Sequence, residues 1–303
     1  MSSDVKIIKN KNFSWFNVTN NSEKEIKYLE KEFNFYPSDL EDCLPPLQRP
    51  KIIARPDYLF MILLFPVFDR ETKTIHASEV DFFITPKTLV TVHTNELGQI
   101  SNTFGEYNNK TLKCSSPTAL LHEILNRLLS ECFPMLVHIS NDIDNVEARI
   151  RTDFEKGTIT EILRIKINIV NFRRAMQPHK QVIRYFITEA SVFFPNNQLK
   201  KYLDDLINYT KEIWDLLDNY KDTIDALHET NVSLIDFRIN EIMKTLTIFS
   251  VIVFPLTLLT SMFGMNVIKM PVVSHPYGFF IILGLMAAGA SGMLIFFKSK
   301  KWF

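Results

Sequence analysis

Residues 245–263 read TLTIFSVIVFPLTLLTSMF and are followed directly by Gly264, Met265 and Asn266. This run of 19 residues carries no charge and approaches the ~20 apolar residues that a helix needs to cross a ~30 Å hydrocarbon layer. A second uncharged run, YGFFIILGLMAAGASGMLIFF, occupies residues 277–297. The two runs predict two membrane-spanning helices, and the alternative is a pair of buried core helices.

Charged residues flank the two runs unevenly. Lys244 precedes the first run, Lys298, Lys300 and Lys301 follow the second, and only Lys269 lies between them. Because Lys and Arg accumulate in cytoplasmic segments, both ends of the membrane part are expected to face the cytoplasm. The sequence therefore predicts an integral protein of the inner or plasma membrane with cytoplasmic N- and C-termini.

Composition excludes several classes of protein. The 303 residues contain 34 Lys and Arg and 34 Asp and Glu, so the zero net charge gives no reason to expect nucleic acid as a partner. Cys43, Cys114 and Cys132 form no CxxC pair, which argues against a disulfide framework and a structural zinc site. We find no ATP-binding glycine loop and no nucleophile with a base at motif spacing, so an enzyme is the least supported class and no organic cofactor is expected.

The first part of the chain has the pattern of a mixed α/β domain. Apolar, β-rich runs at residues 58–68 and 79–93 predict strands, and residues 28–44 predict short helices. Ser116 is a candidate N-cap and is followed by Pro117, and helices dominate from there on. We expect helices at about 118–154 and about 159–190, the second interrupted near Pro178. The fold class is an α/β cytoplasmic domain followed by long stalk helices and two C-terminal transmembrane helices, hence a multi-pass α-helical membrane protein.

A heptad-like stripe follows Pro195 and predicts a long stalk helix. If this helix runs from about 197 to 263 through Pro255, it is about 100 Å long at 1.5 Å per residue. An antiparallel hairpin of core helices is the alternative. The members of the stripe are Leu206, Thr210, Ile213, Leu217, Tyr220, Ile224, Leu227, Asn231 and Leu234.

The domains are then a cytoplasmic α/β domain (1–115), a helical region with the stalk (116–243), the first transmembrane helix (244–263), an extracytoplasmic loop (264–276), the second transmembrane helix (277–297) and a basic cytoplasmic tail (298–303).

One face of the first span is weakly polar. Ser250, Phe254, Thr257 and Ser261 share this face, which continues upstream through Asn240, Met243 and Leu246 or Thr247. One such helix cannot enclose a channel, whereas several copies around an axis can. Simple helix packing is the alternative, because Ser and Thr also bond their own backbone in membranes. In the second span, Gly284, Ala288 and Gly292 form a small-residue stripe that lets another helix approach closely.

The end of the first span carries an uncharged amide. A ring of Asn266 side chains, one per copy, would place neutral oxygen dipoles at the mouth of a channel, while Gly264 would let the helix end and the backbone turn. Mg²⁺ keeps several waters, and amides can bond those waters without the tight grip of carboxylates. A capped helix end is the alternative reading of Gly-x-Asn.

The segment NEIMKTLTIFSVIVFPLTLLTSMFGMNV, from Asn240 to Val267, together with "MP" four residues after Asn266 and the final FFKSKKWF, resembles the CorA family of magnesium channels. The Gly-Met-Asn (GMN) signature of that family stands here as Gly264, Met265 and Asn266. The stretches LEDCLPPLQRPK (40–51) and FRRAMQPHKQVI (172–183) are similar to family segments of the soluble domain.

The resemblance implies a homopentamer with a pore lined by the first span and the second span outside it. It implies that Gly264, Met265 and Asn266 form the selectivity filter. The implied pore-lining positions are Asn240, Met243, Leu246, Phe254 and Thr257. Asn240 and Asn266 would be polar rings at the two ends, and Met243 and Leu246 a hydrophobic constriction that gates by dewetting. Phe254 departs from the family, where Met is common at that position.

The resemblance also implies that Mg²⁺ is both transported and regulatory. Asp205 matches the stalk acid that binds cytoplasmic Mg²⁺ between subunits, and Asp69 is its proposed partner, with solvated surface acids as the alternative reading. The loop after "MP" lacks the Glu that family members often carry and instead has Lys269 and His275 nearby, which leaves Co²⁺ or Ni²⁺ open as cargo. The expected partners are other copies of the chain, membrane lipid and divalent cations. Two further hypotheses are a zinc transporter of the same family and a non-conducting membrane-tethered scaffold.

Overall fold

The computed structural model describes residues 4–10, 12–152, 156–193, 198–265, 272, 275–300 and 302. The chain divides into two compact units, Met1–His228 and Glu229–Phe303. The first unit contains a six-stranded sheet and most of the helices, and the second contains the two apolar segments. The fold class expected from the sequence, an α/β domain followed by a long helix and two apolar helices, is confirmed.

The sheet of the first unit has the strand order β1-β2-β6-β5-β4-β3. β2 and β6 pair in parallel, and the other neighbours are antiparallel. The strands are β1 (Val5–Lys9), β2 (Ser14–Val18), β3 (Lys51–Ala54), β4 (Leu59–Asp69), β5 (Thr74–Ile84) and β6 (Thr88–His93). The strand predicted at residues 58–68 is confirmed as β4.

The β-rich run predicted at residues 79–93 lies in the sheet, where it forms the end of β5 and all of β6, joined by a tight turn. The Thr85 amide donates to the Thr88 carbonyl at 2.9 Å, and the Thr88 amide donates to the Thr85 hydroxyl at 2.8 Å. Pro86 lies in this turn and has no amide hydrogen for a strand ladder. The run therefore folds back on itself at Pro86, a division that the apolar pattern alone does not reveal.

Helices cover both faces of the sheet. On one face, α1 (Glu23–Glu32) and α2 (Pro37–Glu41) bury an apolar core in which Leu29 and Leu40 join Phe16 and Phe83 from the strands. Helices from the second half of the unit cover the other face, where Trp15 meets Phe104 at 5.0 Å. These helices are α3 (Gly98–Asn108), α4 (Pro117–Ser130), α5 (Cys132–Thr152), α6 (Lys156–Met176) and α7 (His179–Phe193).

The helix boundaries follow local chemistry. Ser116 caps α4 by accepting the Ala119 amide at 3.2 Å, which confirms the predicted N-cap. The predicted interruption near Pro178 is confirmed, since α6 ends at Met176 and α7 begins at His179. The helix expected at 118–154 is divided at Glu131, because Pro134 cannot donate to the carbonyl four residues earlier and its ring disfavours an unbroken helix there.

The predicted long helix is present as α8 (Gln198–Phe263), 66 residues with Pro255 inside it, so the alternative of a helical hairpin is excluded. The first half of its heptad-like stripe is buried. Leu206, Ile213, Leu217 and Ile224 are fully buried within the first unit. Ion pairs tie this part of α8 to α6, with Arg173 to Asp218 at 2.8 Å and Lys166 to Asp225 at 2.6 Å. The first half of the stripe therefore packs within its own chain, and a heptad pattern does not distinguish this from packing between chains.

A buried carboxylate fixes α2 to the sheet. Asp39 is inaccessible to solvent and accepts hydrogen bonds from Arg55 Nε at 2.9 Å and from the Tyr58 hydroxyl at 2.7 Å. Arg55 also lies 4.3 Å over the Tyr36 ring. Burial acts to raise the pKa of Asp39, but hydrogen bonds from Arg55 and Tyr58 and the charge of Arg55 outweigh it, so the pKa lies below its ordinary value.

Replacing Asp39 with alanine is expected to destabilise the first unit by about 3 kcal/mol, because it leaves the Arg55 guanidinium and the Tyr58 hydroxyl without their acceptor. Thermal unfolding of the full-length protein in detergent measures this loss. Asp42→Ala is the matched control, because the Asp42–Lys51 pair (2.5 Å) is partly exposed and is worth less than about 1 kcal/mol. Equal losses in the two variants would contradict the assignment.

Candidate functional site

The second unit presents two apolar helices to its surroundings. The C-terminal part of α8 and α9 (Gly278–Ser299) are both long and apolar enough to cross a membrane, with mean hydropathies of 2.1 and 2.2. Most of their large side chains are exposed, including Phe254, Phe279 and Phe280. The alternative of buried core helices is therefore excluded for the described residues, because a core helix would be covered on most of its surface.

One face of α8 carries the side chains proposed from the sequence as pore-facing. At about 100° per residue, five of them fall within an arc of about 60°. These are Met243, Ser250, Phe254, Thr257 and Ser261. Asn240 and Leu246 lie within about 40° of the edges of this arc. We call these seven residues the α8 stripe. Met243 and Phe254 are 54% and 71% exposed in the single chain, so the stripe is largely uncovered.

The opposite face of α8 is the better covered one. Its members are buried or partly buried, whereas six of the seven α8 stripe residues are exposed, and they lie about 180° from the stripe. They are Ile248, Ile252, Leu256, Leu259 and Phe263. On α9 the less exposed residues also share one face, at Ile282, Met286, Ala290, Met293 and Phe297. Both helices belong to one compact unit, and each has one face of buried or partly buried residues. The α8 stripe lies on the opposite side of its helix from that face.

The hydroxyls of this helix bond their own backbone. Ser250 donates to the Leu246 carbonyl at 2.8 Å, and Thr257 donates to the Val253 carbonyl at 2.9 Å. Such bonds to the preceding turn satisfy a hydroxyl hydrogen even in lipid. The hydroxyls thus do not require water around them, and the position of the α8 stripe opposite the covered face carries the argument for a pore.

The described part of α8 ends at the proposed filter. The Gly264 amide donates to the Thr260 carbonyl at 2.9 Å, and the Met265 amide donates to the Met262 carbonyl at 3.3 Å. Gly264 does not adopt a positive φ, unlike a glycine in a left-handed cap, and a Cβ there would lie 3.1 Å from the Thr260 oxygen. The glycine is therefore explained by a close approach to that carbonyl. Asn266, with Lys269, lies outside the described residues.

The two proposed regulatory acids lie in different elements. Asp69, at the end of β4, accepts hydrogen bonds from the Thr72 hydroxyl and the Glu71 amide, both at 2.8 Å. These bonds, from Thr72 first, hold the pKa of Asp69 below its ordinary value. Asp205 is exposed on α8. Among the described residues, no group of three or more His, Cys, Asp or Glu side chains is arranged to hold a metal ion.

Just before the first apolar run, α8 carries an ion pair on the side away from the α8 stripe. Glu241 directly follows Asn240 and forms an ion pair with Lys244 at 3.5 Å. From the sequence we used Lys244 only to assign the orientation of the span. The opposite charges three residues apart were the signal for this pair, since side chains at that spacing meet on a helix surface.

Comparison with known proteins assigns the chain to a family. Residues 10–301 match the family described as CorA-like Mg²⁺ transporter protein. The chain is 30% identical over 291 residues to the putative metal ion transporter YfjQ of Bacillus subtilis (strain 168), covering 95% of this chain and 89% of YfjQ. It is 27% identical over 293 residues to the cobalt/magnesium transport protein CorA of Thermotoga maritima, covering 95% and 83% of the two chains.

Solved structures support the same fold. The complete structure of the CorA magnesium transporter from Methanocaldococcus jannaschii matches with a TM-score of 0.85 and 19% identity, covering 98% of this chain and 93% of that one. The ZntB cytoplasmic domain from Vibrio parahaemolyticus matches with a TM-score of 0.64 and 13% identity, covering 75% and 89%. The chain therefore belongs to the CorA-like Mg²⁺ transporter family, whose members are transporters of divalent metal ions and not enzymes.

Proposed function

We propose that the chain forms a divalent-cation channel that admits Mg²⁺ to the cytoplasm through a pore lined by the α8 stripes of several copies. The observation that carries this proposal is the exposed α8 stripe on the side of the helix opposite its covered face. A stripe so placed is available to equivalent stripes around a common axis. Membership of the family supports a homopentamer in the inner or plasma membrane, with both termini in the cytoplasm by the positive-inside rule.

The chemistry of the stripe suits an ion that keeps its water. Asn240 at the cytoplasmic end and Asn266 at the outer end would supply neutral oxygens that bond the waters of Mg²⁺. Met243 and Leu246 would form the narrow apolar ring at which the pore closes by dewetting, and Phe254 would add a bulky ring beyond it. The membrane potential would drive uptake with about 4.6 kcal/mol per 100 mV for a double charge.

The identity of the cargo is open to a direct test. The T. maritima relative is described as a cobalt/magnesium transport protein, so Co²⁺ is the second candidate ion, with Ni²⁺ beside it. A zinc transporter is the alternative within the family, and a non-conducting scaffold is the alternative outside the transporter class. Currents in planar bilayers at low cytoplasmic Mg²⁺ separate a channel from a scaffold, because a scaffold would give none.

Replacing Asn266 with alanine is expected to reduce Mg²⁺ flux at least tenfold, because the water-binding oxygens at the filter are lost while the helices that assemble the copies are unchanged. Flux into liposomes is measured with a Mg²⁺ indicator, and parallel assays with Co²⁺, Ni²⁺ and Zn²⁺ give the preference. Asn208→Ala, an exposed amide in the part of α8 within the first unit, is the control. An intact oligomer of the Asn266 variant with unchanged flux would refute the filter.

Cysteine substitution tests which face of α8 meets water. Thr257→Cys, on the α8 stripe, is expected to react with a charged methanethiosulfonate reagent, whereas Leu256→Cys, on the covered face, is expected to stay unmodified. Background labelling is low at neutral pH, because burial raises the pKa of Cys43 and Cys132 and raises that of Cys114 to about 11. Equal labelling at positions 256 and 257 would contradict the proposed pore face.

Replacing Asp205 with asparagine is expected to weaken inhibition by internal Mg²⁺, because an amide binds the ion less tightly than a carboxylate does. We expect the inhibitory concentration to rise several-fold while flux at low internal Mg²⁺ is unchanged. Asp204→Asn is the matched control, because the neighbouring acid is also exposed but points about 100° away around the helix. Identical inhibition curves for wild type and the Asp205 variant would remove Asp205 from the regulatory site.

A further inference from the structure

The end of α9 has a defined conformation. The Trp302 amide donates to the Phe297 carbonyl at 3.1 Å, and the Lys300 amide donates to the Phe296 carbonyl at 3.1 Å. The Trp302 and Phe297 rings meet with their centroids 5.4 Å apart. These contacts join Trp302 to the last turn of α9, so its ring lies against that end of the helix.

Aromatic and basic side chains lie together at the C-terminal end of α9. Phe297 is buried, whereas Trp302 is 38% exposed, which leaves part of the indole free for contacts outside the chain. Lys298 and Lys300 are both exposed, about 3 Å apart along the helix axis and on opposite sides of it. Lys301 adds a third positive charge in the sequence, and the chain has no Asp or Glu after Glu241.

We propose that Phe297, Lys298, Lys300 and Trp302, which we call the α9 anchor, bind the headgroups of anionic phospholipids. The lysines contact lipid phosphates on two sides of the helix, and Trp302, held by Phe297, fixes the helix end at the level of the headgroups. Indole rings concentrate at this level of a membrane, and basic side chains beside a span attract anionic lipid. The proposal rests on the membrane placement of α9 within the proposed function and does not depend on ion conduction.

Tryptophan fluorescence can measure this contact, because Trp302 is the one tryptophan of the three that lies beside α9 and the other two lie in the first unit. Trp15 is buried in the sheet domain, and the Trp214 ring is covered by Arg173 at 4.7 Å. The full-length protein is placed in nanodiscs that contain brominated phosphatidylcholine or brominated phosphatidylglycerol at the same mole fraction. Bromine quenches only nearby indoles, so the quenching lost in Trp302→Phe reports the lipids around the α9 anchor.

We expect brominated phosphatidylglycerol to quench Trp302 more strongly than brominated phosphatidylcholine at low salt, and the difference to fade near 1 M salt, where charges are screened within about 3 Å. The Lys298→Gln, Lys300→Gln double variant is expected to lose this preference, by about fivefold for each lysine. The control is the double variant Lys24→Gln, Lys211→Gln, which removes the same amount of charge from two exposed lysines of the first unit. We expect this control to keep the preference for brominated phosphatidylglycerol.

Equal quenching by the two lipids in the wild-type protein would overturn the headgroup assignment, and so would a preference that survives the Lys298 and Lys300 substitutions. Quenching by neither lipid would show that Trp302 does not lie at a membrane surface. Mg²⁺ flux of the double variant in phosphatidylcholine liposomes is measured alongside and is expected to match the wild type. Failure of the α9 anchor is therefore distinguishable from failure of the channel proposal.

Discussion

The membrane part of this protein is governed by one requirement, that backbone polar groups in hydrocarbon find partners within the same segment. Helices α8 and α9 meet it with continuous helical bonding, and Ser250 and Thr257 turn their hydroxyls back to carbonyls of the preceding turn. Pro255 is the exception, because it has no amide hydrogen to donate to Val251. A helix whose backbone and hydroxyl groups are hydrogen-bonded within itself needs no polar partner, so the shape and exposure of its faces decide what it packs against. The uncovered face of α8 is therefore the one available for contact with other copies.

One helix carries two kinds of face along its length. In its first half, Leu206 and Ile224 are buried in the first unit, and ion pairs to Lys166 and Arg173 hold this half to α6. Beyond Asn231 the large side chains are mostly exposed, from Phe237 to Met262. The first half is thus stabilised within the chain, while the second half leaves apolar surface for lipid and for other copies. The two halves form one continuous helix, so a displacement of the first half would be transmitted along the helix to the second.

The sequence predicted those features that depend on local chemistry. Two uncharged runs of membrane length, the Ser116 cap and the interruption at Pro178 were all predicted correctly, because each is set by residues within one or two turns. The division of residues 79–93 into two strands and the break at Glu131 were missed, although Pro86 and Pro134 mark both places. The partner of the heptad-like stripe could not be predicted, because a row of apolar residues packs equally well on α6 or on another chain. Which residues of α8 are uncovered depends likewise on where α9 lies, and only the fold contains that information.

The placement of charge along the chain limits how an ion can be held. The last carboxylate, Glu241, is paired with Lys244, and no acid follows it through the whole membrane part. A carboxylate facing a divalent ion in a narrow, poorly hydrated site would attract it strongly, because Coulomb energies rise several-fold when the local dielectric constant falls below that of water. Such a site would slow release as well as favour entry. Amide oxygens such as those of the proposed Asn266 ring would bind the hydration waters with less energy. In the proposed channel, discrimination among divalent metals would therefore come from the size and geometry of the hydrated ion and from the spacing between copies, more than from the identity of any single side chain.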